Sequence, residues 1–302
     1  MAILTRPEGT RPGDLNLSRR GVAAALFGGY AVWAFSAEAE PIHTDEAGLV
    51  TTTVQLAATD RPIPAYVARP DAPGRFPVVV VVSEVFGVHE YIRDVCRRLA
   101  KLGYVALAPD FFVRAGDPST ISDFAEIRRI VSQASDHQVM GDLVAGLAWL
   151  KVQPFVDRRR MAITGFCWGG AVAWLACERL PDFRAGAAWY GRLTPPPPGE
   201  FLGEPDREWP VQLAARLKAP VIGFYAGKDQ GIPVADVAFM RQVLQAAGKR
   251  GSDLIVYPEA QHGFHADYRS SYDAEAAQDA WTRMLEHFAR NGVAPKTWTA
   301  RP

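Results

Sequence analysis

Five consecutive valines, Val78 to Val82, follow Pro77 and constrain the fold more than any other stretch of this chain. A strand wetted on one side alternates apolar and polar residues. An unbroken β-branched run therefore belongs to a parallel strand covered on both faces. Covering both faces takes helices, and the sequence supplies them in alternation with further apolar runs. Helical stretches are predicted from about Tyr91 to Leu102, closed by Gly103, and from Ile121 to Val152 with an interruption near Ser135-Asp136. A last one runs from Ala274 to Asn291 and stops at Gly292. Within the second region Val139, Leu143, Leu147 and Leu150 fall on one side. Strands are expected at Tyr104 to Ala108, Met161 to Ile163, Ala185 to Tyr190, Pro220 to Ala226 and Asp253 to Tyr257. Leu49 to Leu56 and Ile63 to Val67, punctuated by prolines, read as an antiparallel pair at a sheet edge. The fold class is thus α/β, a mostly parallel doubly wound sheet flanked by helices, with residues 41–302 as a single domain.

After Met161-Ala162-Ile163 comes Thr164-Gly165-Phe166-Cys167-Trp168-Gly169-Gly170, and then a second apolar run beginning at Ala171. Strand, glycine-lined turn and helix in that order match the nucleophile elbow G-x-S-x-G with sulfur in place of oxygen. Glycines flank such a turn because strand and helix backbones crowd it. The turn would set the Cys167 thiol at the sheet's edge, beside the positive end of the following helix, which favours a thiolate. The competing reading of Cys167 is a small buried hydrophobe, the ordinary fate of a free cysteine.

Two loops after later strands carry the partners a thiol nucleophile needs. Gly227-Lys228-Asp229-Gln230-Gly231 follows one strand, and Pro258-Glu259-Ala260-Gln261-His262-Gly263-Phe264 follows the next. Alone, Asp229 is good turn chemistry and His262 could be a surface residue. The chain order Cys167, Asp229, His262, each at a strand end, is what favours a base and the carboxylate that orients it. Glu84 stands directly after the valine strand, at the same edge. Half removed from water there, its carboxyl is expected to have a raised pKa; alternatively it pairs with Arg93 or Arg97. The backbone N–H groups of Val85 and Trp168 would supply an oxyanion hole.

Acidic and basic residues balance at 33 each, and no nucleic-acid motif is present. Cys96, Cys167 and Cys177 have neither C-x-x-C spacing nor the density of a disulfide framework. His262 and His265 are closely spaced but lack a second ligand cluster, so neither a metal nor another cofactor is expected. A redox sensor would want a resolving cysteine near Cys167. Pro195 to Pro198 begin a proline-rich loop running to Pro210 that could border the site.

Residues 1–40 read as an address. Ser18-Arg19-Arg20 precedes an apolar run from Gly21 to Ala37, and Ala37-Glu38-Ala39 closes it. That layout is a twin-arginine-type export signal, giving a periplasmic or exported protein without stable membrane association once the signal is removed. An uncleaved anchor, or a leader translated from an upstream start on a cytoplasmic enzyme, are the other readings.

Taken together, Ser83-Glu84-Val85-Phe86-Gly87, Ala108-Pro109-Asp110, Gly165 to Gly170, Trp189-Tyr190-Gly191, Gly227-Lys228-Asp229 and His262-Gly263-Phe264 resemble the dienelactone hydrolase family, the carboxymethylenebutenolidases. The resemblance runs from Leu49 to the last helix. It implies an α/β-hydrolase fold, a monomer, and thiolate attack on a small-molecule lactone or ester, followed by hydrolysis of an acyl-enzyme. By position Cys167 is the nucleophile, His262 its base, Asp229 the orienting acid, and Glu84 a gate that takes the thiol's proton when substrate binds. Where the family holds a substrate carboxylate with an arginine four residues after the histidine, this chain has Ala266. Arg269, Arg128 and Arg129 are the available substitutes, and Tyr190 and Trp168 would suit an uncharged ester. A general carboxylesterase, or a non-catalytic binding protein of the same fold, are the alternative functions.

Overall fold

The computed structural model describes residues 41–197, 200–202 and 207–299. The expected export signal in residues 1–40 and part of the proline-rich loop lie outside that set.

One eight-stranded sheet organises the chain, in the order β1-β2-β4-β3-β5-β6-β7-β8. The strands are β1 (Leu49–Ala57), β2 (Pro62–Pro70), β3 (Phe76–Val82), β4 (Val105–Pro109), β5 (Val156–Phe166), β6 (Ala185–Trp189), β7 (Val221–Ala226) and β8 (Asp253–Tyr257). β2 runs antiparallel to both β1 and β4, while β3 to β8 are mutually parallel. The edge hairpin and the parallel centre both follow the sequence reading.

The valine run explains the layering. Val78, Val80 and Val82 belong to one apolar core, and Val79 and Val81 to another on the opposite face. Helices α1 (Glu90–Lys101) and α7 (Ala274–Arg290) cover the second face with residues such as Ile92, Leu99, Met284 and Phe288. The first face is covered by α3 (Asp136–Val152), α4 (Trp168–Arg179) and α6 (Val234–Ala246), with α2 (Phe124–Ser132) beside them. A single turn of helix, α5 (Pro210–Leu213), precedes β7. Ser135 caps α3 by accepting from the N–H of Gln138, so the interruption expected there is a helix start. Val139, Leu143, Leu147 and Leu150 are buried as predicted.

Helix α6 was not anticipated. Only Val237, Met240 and Leu244 of its thirteen residues are buried, and Phe239 is half exposed. Its apolar stripe is therefore too narrow, and too blurred by exposed apolar residues, to stand out in the sequence.

The chain beyond residue 40 is tied down on α1. Thr44 donates its N–H to Asp94 at 2.5 Å, and its carbonyl accepts from Nε of Arg97 at 2.8 Å. Asp94 also receives Arg97 and Arg98, and Arg98 reaches Asp267.

The feature that matters for function is the order β4-β3-β5. The chain leaves β3 toward one side and returns to β5 on the other. The crevice at the carboxyl ends of these two strands is the switch point where open α/β sheets take ligands. Val82 pairs with Gly165, so Glu84 and Cys167 emerge side by side at that crevice.

Candidate active site

Cys167 is the hinge between β5 and α4, and its backbone has φ 55° and ψ −114°. A non-glycine residue held there costs about 1–3 kcal/mol, which surrounding contacts must fix in place. Its N–H donates to the carbonyl of Trp189 at 2.9 Å, and its carbonyl accepts from Gly170 at 2.9 Å. The crowding expected around the turn is present. A Cβ on Gly165 would overlap the carbonyl of Gly169, and one on Gly169 would strike the carbonyls of Val82 and Ser83. The close approach of α4 to the end of β3 thus requires glycine at position 169.

Asp229 and His262 occupy the loops after β7 and β8, and Nδ1 of His262 lies 2.6 Å from Oδ2 of Asp229. The other carboxylate oxygen accepts from the N–H groups of Gly231 at 2.8 Å and Ile232 at 3.1 Å. Asp229 is therefore clamped before it touches the imidazole. Burial opposes a charge on His262, but Asp229 and then Cys167, which also hydrogen-bonds to it, outweigh burial and raise its pKa to about 10. Tyr190, at φ 39°, packs its ring 5.1 Å from that of His262. The three sequence-predicted residues are thus brought together, and the arrangement can hold a thiolate beside an imidazolium.

Glu84 departs from expectation. Its carboxyl is fully buried, yet its pKa is lowered to about 2. Burial is the largest single influence and raises it, but the guanidinium of Arg269, His89 and Tyr268 together outweigh burial. Arg269 donates to Oε1 at 2.9 Å and Tyr268 to Oε2 at 2.6 Å. Neither Arg93 nor Arg97 is its partner: Arg93 lies over the ring of Tyr66, and Arg97 pairs with Glu90 and Asp94.

A cleft of about 460 Å³ opens over Cys167, with Val85, Trp168 and Tyr190 in its wall. Trp168 is the first residue of α4, so its N–H has no partner within the helix. The candidate arginines separate here. Arg128 lines the cleft, its guanidinium 5.0 Å above the ring of Phe201. Arg129 is exposed and turned to Glu126 on its own helix, so it is not a binding residue. Arg269 is likewise corrected, being spent inside the protein on Glu84 and stacked on Phe86 at 5.1 Å. Ala266 is buried, so no side chain there meets the cleft. Arg192, Phe201 and Trp209 line the cleft and were not singled out by sequence reasoning. Arg192 follows Tyr190-Gly191 directly, and that adjacency was the signal that could have found it.

Among the described residues no group of histidine, cysteine and carboxylate side chains could hold a metal ion, and no helix is long and apolar enough to cross a membrane.

The dienelactone hydrolase family model matches residues 63–292. A protein of Methylorubrum extorquens provisionally named carboxymethylenebutenolidase is 50% identical over 281 residues, covering 92% of this chain and 94% of its own. One from Yersinia pestis with the same provisional name is 46% identical, covering 83% and 95%. The crystal structure of a provisionally assigned dienelactone hydrolase from Klebsiella pneumoniae superposes with a TM-score of 0.74. It is 43% identical and covers 80% of this chain and 99% of its own.

Proposed function

Since this chain belongs to the dienelactone hydrolase family, and so to the carboxylic ester hydrolases, we propose that it hydrolyses a lactone or ester through the thiolate of Cys167. The observation that carries this reading is the joining of Cys167, on its strained turn, to the 2.6 Å His262–Asp229 pair.

The Cys167 thiolate attacks the carbonyl carbon, forming a C–S bond while the carbonyl electrons move onto oxygen. The Val85 and Trp168 N–H groups receive that oxyanion. As the C–S thioester forms, the C–O bond breaks, and the departing alkoxide takes the proton from the His262 imidazolium. Water then gives a proton to His262 and adds to the thioester, releasing the carboxylic acid and restoring the thiolate. Asp229 keeps His262 in the tautomer and orientation both steps require. A gating role for Glu84 requires it first to leave Arg269 and Tyr268. In the arrangement seen here it braces the end of β3, and with it the Val85 N–H.

The test is alkylation with iodoacetamide while p-nitrophenyl acetate hydrolysis is followed. Activity should fall in step with modification of Cys167. Full activity after complete alkylation would exclude the thiol mechanism and return the choice to a binding protein or a different nucleophile.

A further inference from the structure

The cleft does not end near the sulfur. Trp168, Ala171, Val172 and Leu175 of α4 all line it. Positions i, i+3, i+4 and i+7 share one face of a helix, so the cleft runs lengthwise along α4. Seven residues at 1.5 Å each carry it about 10 Å away from Cys167. The α4 wall is wholly apolar and Phe201 and Trp209 add aromatic surface, while Arg128, Arg192, Glu200 and Asp236 also line the cleft. Beyond Leu175 the groove meets a knot of ion pairs. Arg179 pairs with Asp136 at 3.5 Å and with Glu208, and Arg207 pairs with the same Asp136 at 3.2 Å. Those charges satisfy one another and cap the far end.

A compact lactone ring would fill only the part of this groove nearest the thiol. Resting on the hydrolase reading above, we propose that the substrate is an ester with an elongated apolar arm, which lies along α4 from Cys167 toward the Arg179–Asp136 ion pair. Ala171, the smallest side chain on the lining face, leaves room for the arm to pass.

Two homologous series test this: p-nitrophenyl alkanoates from acetate to decanoate, which lengthen the acyl arm, and n-alkyl thioacetates, which lengthen the other. In at least one series kcat/KM should rise about three- to fourfold per methylene buried, then level off when the chain reaches the ion pairs. Ala171→Phe should block the passage and lower the long-to-short kcat/KM ratio at least tenfold in that series. Profiles that are flat or falling in both series overturn the proposal, and so does a ratio that Ala171→Phe leaves in place. The wild-type profiles decide even if that variant does not fold. Alkylating Cys167 beforehand separates the two ideas. Surviving activity sinks the thiol mechanism, whereas alkylation-sensitive activity with no chain-length preference sinks only the groove.

Discussion

Oε1 of Glu84 lies 2.9 Å from Nη2 of Arg269, and solvent reaches neither side chain to any useful extent. Glu84 stands two residues beyond β3 and immediately before Val85. Arg269→Met leaves the Glu84 charge buried without its main counter-charge, which costs about 3–5 kcal/mol. Urea unfolding should show that loss. The double variant Glu84→Gln/Arg269→Met should recover part of it, because the stranded charge is gone. A single variant as stable as the wild type would mean that Glu84 is neutral in the folded protein.

Cys167→Ser should fold normally and lose most turnover. A hydroxyl has no anion that His262 can hold near neutral pH, so the acyl-forming step slows. Circular dichroism confirms folding, and single-turnover kinetics read the step. Near-normal turnover would make Cys167 structural.

Iodoacetamide should add one group per folded chain. Burial drives the Cys96 and Cys177 thiols far above their usual range, so neither offers thiolate. Intact-mass measurement counts the adducts, and a second adduct in native protein would contradict this burial.

The His262 pKa is raised to about 10 from an ordinary 6.5, and that sets a pH dependence. A cation favoured in the folded state stabilises fully below the unfolded value. Its contribution is then lost as pH rises from about 6.5 through 10. Asp229→Asn removes the main charge that raises it, so the variant should lose stability near neutrality and show a flatter decline above it. Parallel curves for the two proteins would show that Asp229 does not hold a charged imidazole.

Glu178 on α4 is buried, and burial raises its pKa to about 9. Folding at neutral pH therefore forces it to take up a proton. That cost is absent below about pH 4.5 and grows until about pH 9. Glu178→Gln should stabilise the protein at pH 7 by a few kcal/mol, with the gain shrinking toward pH 4.5 in unfolding titrations.

The valine run and the elbow glycines made the layered sheet legible, since each is demanded by a contact on both of its sides. The Cys167–Asp229–His262 order was legible for a related reason: strand ends can be counted without knowing loop shapes. The fate of Glu84 was not. Whether a buried carboxyl gains or loses its proton depends on which cation lies beside it. Arg269 comes from 185 residues away, through a loop with no periodic signal. The arginines failed likewise. Arg128 and Arg129 are neighbours in sequence, yet the roughly 100° between adjacent helical positions sends the first into the cleft and the second to Glu126.

We also propose that residues 1–40 direct export. Protein sequencing of the mature form from its own host should then find an N-terminus near Ala39, and a start at Met1 would remove the idea.

The link from Thr44 to α1 sets a limit on trimming. Asp94 and Arg97 use the Thr44 backbone, not its side chain, so no substitution at position 44 short of proline breaks the tie at its N–H. Loss of the residue itself does. Among truncations ending between residues 41 and 46, melting temperature should therefore fall most sharply at the one that removes Thr44, where both backbone ties to α1 are lost together.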